Sequence, residues 1–194
     1  VLGYASFTYW YTNTEGPLTE EEISAILARN ASRDSGIDPA TIEAFMRSDT
    51  GNQFIMVNLL DYNESPSGKF AGEDPKDLLG HYMEYMYPEL FKRASHPIFA
   101  GRAVAEAIDL QGIEGAESWD SGALMRYRSR RDMFEIATNP VFAERHEYKL
   151  AALNKTIAYP VEVQLSFADP RFLLALILLV IGLALDKVFT RQKT

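Results

Sequence analysis

Apolar and polar positions change their spacing several times along this chain of 194 residues. In Leu18-Thr19-Glu20-Glu21-Glu22-Ile23 an acidic first turn precedes Ile23, Ile26 and Leu27, which are spaced as one face of a helix. Thr19 and Glu22 stand three apart, the spacing of a capping box. Asp38-Pro39 predicts the start of a second short helix, with Ile42, Phe45 and Met46 on its inner side. Phe54–Leu60 is apolar at nearly every position, so it predicts a central strand buried on both faces. A polar loop follows from Tyr62 to Glu73. Asp74-Pro75 opens a long helix to about Ala94, in which Pro88 predicts a kink or break. Strands are expected over Ile98–Ile108 and Ala123–Tyr127. Ser129 caps a helix through Ala137, Asn139-Pro140 starts another to about Leu153, and Thr156–Leu165 closes as a strand.

The middle of the chain therefore reads β-α-β-β-α-β, the ferredoxin-like arrangement of an α+β protein. Its expected organisation is a segment 1–12, a helical arm 13–53, a ferredoxin-like domain 54–168 and a C-terminal helix with a short basic tail, 169–194.

The two ends carry a membrane signal. Phe172–Leu185 is an unbroken apolar run, and Asp169-Pro170 can start its helix. Extended to Thr190 and with Lys187 snorkelling, it reads as a transmembrane helix of about 21 residues. Lys187, Arg191 and Lys193 follow it and Arg171 precedes it. The excess of basic residues at its end places the C-terminus in the cytoplasm and the globular part outside, in the periplasm of a bacterium with an inner membrane. Residues 1–12, ending in Tyr9, Trp10 and Tyr11, read as a membrane or interfacial segment, with a first strand as the alternative.

Several pieces of the middle region resemble one family. "MVNLLDY" (Met56–Tyr62), "HYMEY" (His81–Tyr85), "FAGR" (Phe99–Arg102), Trp119-Asp120 and "LMRYRSRRDMFEIATNPVF" (Leu124–Phe142) are similar to the DUF1330 family of the dimeric α+β barrel superfamily. The resemblance covers residues 54–165. It implies a four-stranded sheet with two helices on one face and two such sheets packed as a homodimer. Relatives in that superfamily include monooxygenases, haem-binding proteins, and small isomerases or lyases.

Charge narrows the function classes. The chain has 19 Lys+Arg against 27 Asp+Glu, a net charge of −8, and residues 1–90 alone hold 15 acids and 5 bases. No basic surplus exists to neutralise phosphates, so nucleic acid is not an expected partner. Cysteine is absent, which excludes disulfides, thiolate metal sites and thiol catalysis. His81, His96 and His146 lack the spacing of a helical metal site, and neither a metal nor a cofactor is expected.

Residues with acid–base or anion-binding chemistry suggest one candidate pocket. His81 and Tyr85 are four apart on the long helix, and with Arg102, Trp119 and Arg126 they could line a space between helix and sheet. Core packing with polar tips at the rim is the competing reading. Arg126, Arg128, Arg130 and Arg131 form a basic cluster that either holds an anion or pairs with Asp132, Glu135 and other local acids. Three glycosylation acceptor patterns, starting at Asn30, Asn63 and Asn154, matter only in a eukaryotic secretory pathway.

Two functions are expected from this. The first is a membrane-anchored, non-catalytic accessory subunit docked on a larger integral membrane protein complex, with the lipid bilayer as its second contact. The alternative is a membrane-tethered enzyme or a small-ligand or haem-binding protein that uses the pocket.

Overall fold

In the computed structural model, residues 2–30, 38–167 and 169–191 are described, without the side chains of 189 and 191. Ser32 of the first glycosylation pattern and Lys193 of the basic tail lie outside the described residues. The chain forms two compact units, one of residues 13–162 and one of residues 1–12 with 163–194.

The larger unit begins with α2 (Glu20–Asn30) and α3 (Pro39–Arg47). α1 (Leu2–Tyr11) belongs to the smaller unit. The capping box forms: the Thr19 backbone N–H donates to Glu22 Oε2 at 2.8 Å, and the Glu22 N–H donates to Thr19 Oγ1 at 3.3 Å. Asp38 caps α3 by accepting from the backbone of Ala40 and Thr41. The two helices bury Leu18, Ile23, Ile26 and Met46 against Phe134.

The sheet and its helices follow in the order β1 (Phe54–Tyr62), α4 (Pro75–Lys92), β2 (His96–Arg102), β3 (Ser121–Tyr127), α5 (Arg130–Ala137), α6 (Pro140–Ala152) and β4 (Leu153–Glu162). The strands lie in the order β2-β3-β1-β4, and every neighbouring pair is antiparallel. This is the ferredoxin-like topology. The caps sit where expected: Asp74, Ser129 and Asn139 accept from backbone N–H groups of α4, α5 and α6. Both edge strands carry a proline, Pro97 in β2 and Pro160 in β4.

Four expectations change. β1 is central but is not buried on both faces; only Phe54 and Leu60 are fully buried. Met56, Asn58, Leu60 and Tyr62 face the helices, while Ile55, Val57 and Leu59 share the opposite face with Leu124 and Tyr159. α4 runs unbroken through Pro88, which is exposed, so water can satisfy the carbonyl that has lost its donor. β2 ends at Arg102 rather than near Ile108, because Val104 and Ile108 are almost fully exposed in the following loop and have nothing to pack against. β4 starts directly from the end of α6, with no loop between them.

A fifth change concerns the chain ends. The smaller unit holds α1 and α7 (Pro170–Arg191). Residues 2–11 are helical, so the strand alternative fails there. Arg171 joins the two helices: its guanidinium donates to Thr12 Oγ1 at 2.9 Å and lies 5.4 Å from the centre of the Tyr11 ring. The transmembrane expectation for 169–194 does not carry over. Among the described residues no helix is long and apolar enough to cross a membrane. Arg171, Asp186 and Lys187 confine the uncharged run to Phe172–Leu185, about 21 Å of helix against roughly 30 Å of hydrocarbon.

Candidate functional site

The sheet's inner face and α4–α6 enclose an open cleft of about 1340 Å³ within the larger unit. Its floor alternates along the strands. Met56, Asn58 and Leu60 of β1, Ala123 and Met125 of β3, and Ala158 of β4 point into it. The register orders the cleft from end to end. Phe54 opposite Tyr127 marks one end, where their rings stack at 5.2 Å and 8° beside Met86 and Ile136. Leu60 opposite Ser121 marks the other. There the Tyr62 hydroxyl meets Ser121 Oγ at 3.0 Å, and Asp120 Oδ2 accepts from the Tyr62 N–H at 2.6 Å. Arg102, paired with Ser121 in the ladder, also lines this polar end. The cleft is therefore amphipathic along its length.

α4 and α6 supply the roof. Phe142, His146 and Lys149 follow at i, i+4 and i+7, so they form one helical stripe over the sheet. Tyr82 of α4 meets that stripe: its ring centre is 6.2 Å from Phe142, 6.1 Å from His146 and 5.9 Å from Lys149 Nζ. His146 stacks on Phe142 at 5.0 Å. Burial pushes the Tyr82 and Tyr127 hydroxyls far above the usual phenol range. The same desolvation lowers His146, helped by the charge of Lys149, and lowers Lys149 itself.

Of the five residues expected to line a pocket, the structure places only Arg102 in the cleft. His81 is exposed, with Nδ1 3.3 Å from Glu84 Oε1. Tyr85 donates its hydroxyl proton to the Ile136 carbonyl at 3.2 Å. Trp119 donates to the Ala116 carbonyl at 2.9 Å, with Lys155 over its ring. Arg126 is buried on the sheet's opposite face, where it donates to Gln53 Oε1 and the Ala94 carbonyl. Adjacent ladder positions explain the split, because Arg102 and Arg126 sit an even and an odd number of steps from Ser121 and Met125 on β3. Tyr82, beside His81 on α4, lines the cleft together with His146 and Lys149 of α6. The α6 stripe was present in the sequence, but a lysine within it reads as a solvent-facing residue.

The arginine cluster pairs with local acids. Arg128 holds Asp132 through two bonds of 2.8 and 2.7 Å, and Arg131 holds Glu22 through two of 2.6 and 3.0 Å. Arg131 holds the Glu22 carboxyl well below its ordinary 4.5, at about 2. Glu22 thus stabilises the fold above about pH 4.5, and this contribution is lost as pH falls toward 2. Thermal melts of the wild type and Glu22→Gln should differ most near neutral pH and converge below about pH 4.5. A gap independent of pH would contradict the assignment. Among the described residues, no group of His, Asp and Glu side chains is arranged to hold a metal ion.

No family model matches the chain, and no curated protein matches it. Solved structures do. A protein of unknown function from Rhodopseudomonas palustris, RPA0582, is 16% identical with a TM-score of 0.57, covering 67% of this chain and 96% of that one. Its methylated form is 17% identical with a TM-score of 0.56, covering 69% and 96%. A dimeric ferredoxin-like protein of unknown function from Jannaschia sp. CCS1 is 13% identical with a TM-score of 0.35, covering 58% and 100%. The likeness to RPA0582 is one of fold alone.

Proposed function

We propose that residues 13–162 bind a small amphipathic molecule in the cleft between the sheet and α4–α6, in keeping with the DUF1330-like resemblance of residues 54–165. One observation carries this reading: a cleft of about 1340 Å³ with a methionine- and aromatic-rich end and a polar end. Ligand sites are typically apolar concavities of roughly 300–1,000 Å³ with a few placed polar groups, so this space is ample. Methionines suit such a floor because their side chains adapt to varied shapes.

The neutral dye N-phenyl-1-naphthylamine tests the proposal, since its fluorescence rises in apolar surroundings. Saturable binding is expected, and Ala123→Trp, which fills the middle of the floor, should weaken it about tenfold. Equal binding by the wild type and a folded Ala123→Trp variant would overturn the reading.

The smaller unit favours a second reading, the accessory subunit. Along α7, Leu173, Leu176, Ile177, Val180, Leu183 and Val188 are all more than 40% exposed, so much of the helix surface is apolar and uncovered. A surface of that kind calls for an apolar counterpart. Arg171 and Lys187 bracket this apolar run. The test is co-purification with one membrane complex at fixed stoichiometry from native membranes in mild detergent. Loss of that association in Leu176→Asp/Val180→Asp is expected, and an unchanged elution of the variant would refute this reading.

A further inference from the structure

Lys149 places a cation on the roof of the cleft, over its methionine floor. It stands on the inner stripe of α6, its stem half-buried and its ammonium withdrawn from water beside the Tyr82 ring. Among the described residues no carboxylate lies within ion-pair distance of it. The acids of the cleft wall are engaged elsewhere or face solvent. Glu147 binds Lys69 at 2.7 Å, Asp120 accepts from the Tyr62 N–H, Asp74 caps α4, and Glu64 is exposed. Burying a charge without a partner is costly, and a cavity-facing cation regains that cost when an anion enters.

We infer that the ligand of this cleft is an amphipathic monocarboxylate, its carboxylate held by Lys149 under α6 and its apolar body lying along Met56, Met125 and Met86 toward the stacked Phe54–Tyr127 pair. This rests on the cleft reading above. The two other cations of the wall, Arg102 and Lys76, are exposed and favour the approach of an anion without binding it deeply. A single charge is indicated because Lys149 is the only lysine or arginine of the wall that is not exposed to solvent, among the described residues. A charge-assisted hydrogen bond from its ammonium gives the head its position. The methionine floor sets little length discrimination, so specificity lies in the charge rather than the chain.

Displacement of N-phenyl-1-naphthylamine by decanoate and by decanol separates the two levels of the argument. Decanoate should bind the wild type about tenfold tighter than decanol, the scale of one charge-assisted hydrogen bond in a desolvated site. Lys149→Met should remove that preference, bringing decanoate to the affinity of decanol, and Lys149→Arg should restore much of it. Equal affinity for decanoate and decanol in the wild type overturns the carboxylate assignment while the cleft reading stands. An unchanged preference in Lys149→Met overturns the role of Lys149. If neither compound displaces the dye, the cleft reading falls and this inference falls with it.

Discussion

Arg130→Ala should lower the stability of the larger unit by about 3–5 kcal/mol, the cost of breaking a buried ion pair from one side. Arg130 stands at the first position of α5 with its side chain only 9% exposed. It donates to Ser48 Oγ at 2.8 Å and to the Phe45 carbonyl, lies 4.3 Å from the centre of the Phe45 ring, and sits 3.5 Å from Asp49 Oδ1. Asp49 is more deeply buried still, at 2%. Its oxygens already organise the chain by accepting from the backbone N–H groups of Leu18 and Gly51. Without Arg130 that carboxylate would keep its backbone donors and lose its cation. The apparent melting temperature should fall by roughly 10 °C. Arg130→Met, which keeps an apolar side chain of similar reach, should recover only part of the loss. A shift under about 2 °C in either variant would show that the pair contributes little beyond packing.

Phe54→Ala should cost a similar amount by a different route, about 3–5 kcal/mol for truncating a fully buried aromatic. Phe54 is 1% exposed, lies parallel to Tyr127 and meets Phe45 edge-on at 5.5 Å and 77°. It therefore joins the core under the sheet to the arm formed by α2 and α3. Removing its ring would extend the apolar end of the cleft. Denaturant unfolding reads the stability loss, and dye binding reads the cleft. Phe54→Leu should cost less than half as much because it leaves a smaller void. Equal losses for the two variants would point to a specific role for the ring stack instead.

Much of the fold was legible where side chains act on their own backbone. Thr19 with Glu22, Asp38-Pro39, Asp74-Pro75, Ser129 and Asn139-Pro140 each mark a helix start, because a cap needs only neighbours within three residues. The burial of β1 was misread because an apolar run cannot show that helices cover only one side of it. The candidate site was harder for the same reason. The spacing of His81 and Tyr85 fixes their shared face on α4, but not the surface that face meets. Arg102 and Arg126 look equivalent along the chain, yet the bulge between Pro97 and Phe99 and the alternation of β3 send them to opposite sides of the sheet. Lys149 could not be singled out, since only the roof over Met56 and Met125 makes its ammonium unusual.

The prolines in β2 and β4 set how copies of this chain can meet. Each removes a backbone donor from an outermost strand, and β2 is further bent by its bulge while β4 breaks register where Asp61 gives way to Tyr62 on β1. These features make either border a poor template for an added strand. The homodimer expected from the family resemblance would instead meet through the broad surface of Ile55, Val57, Leu59, Leu124 and Tyr159, and such a self-complementary contact closes at two molecules.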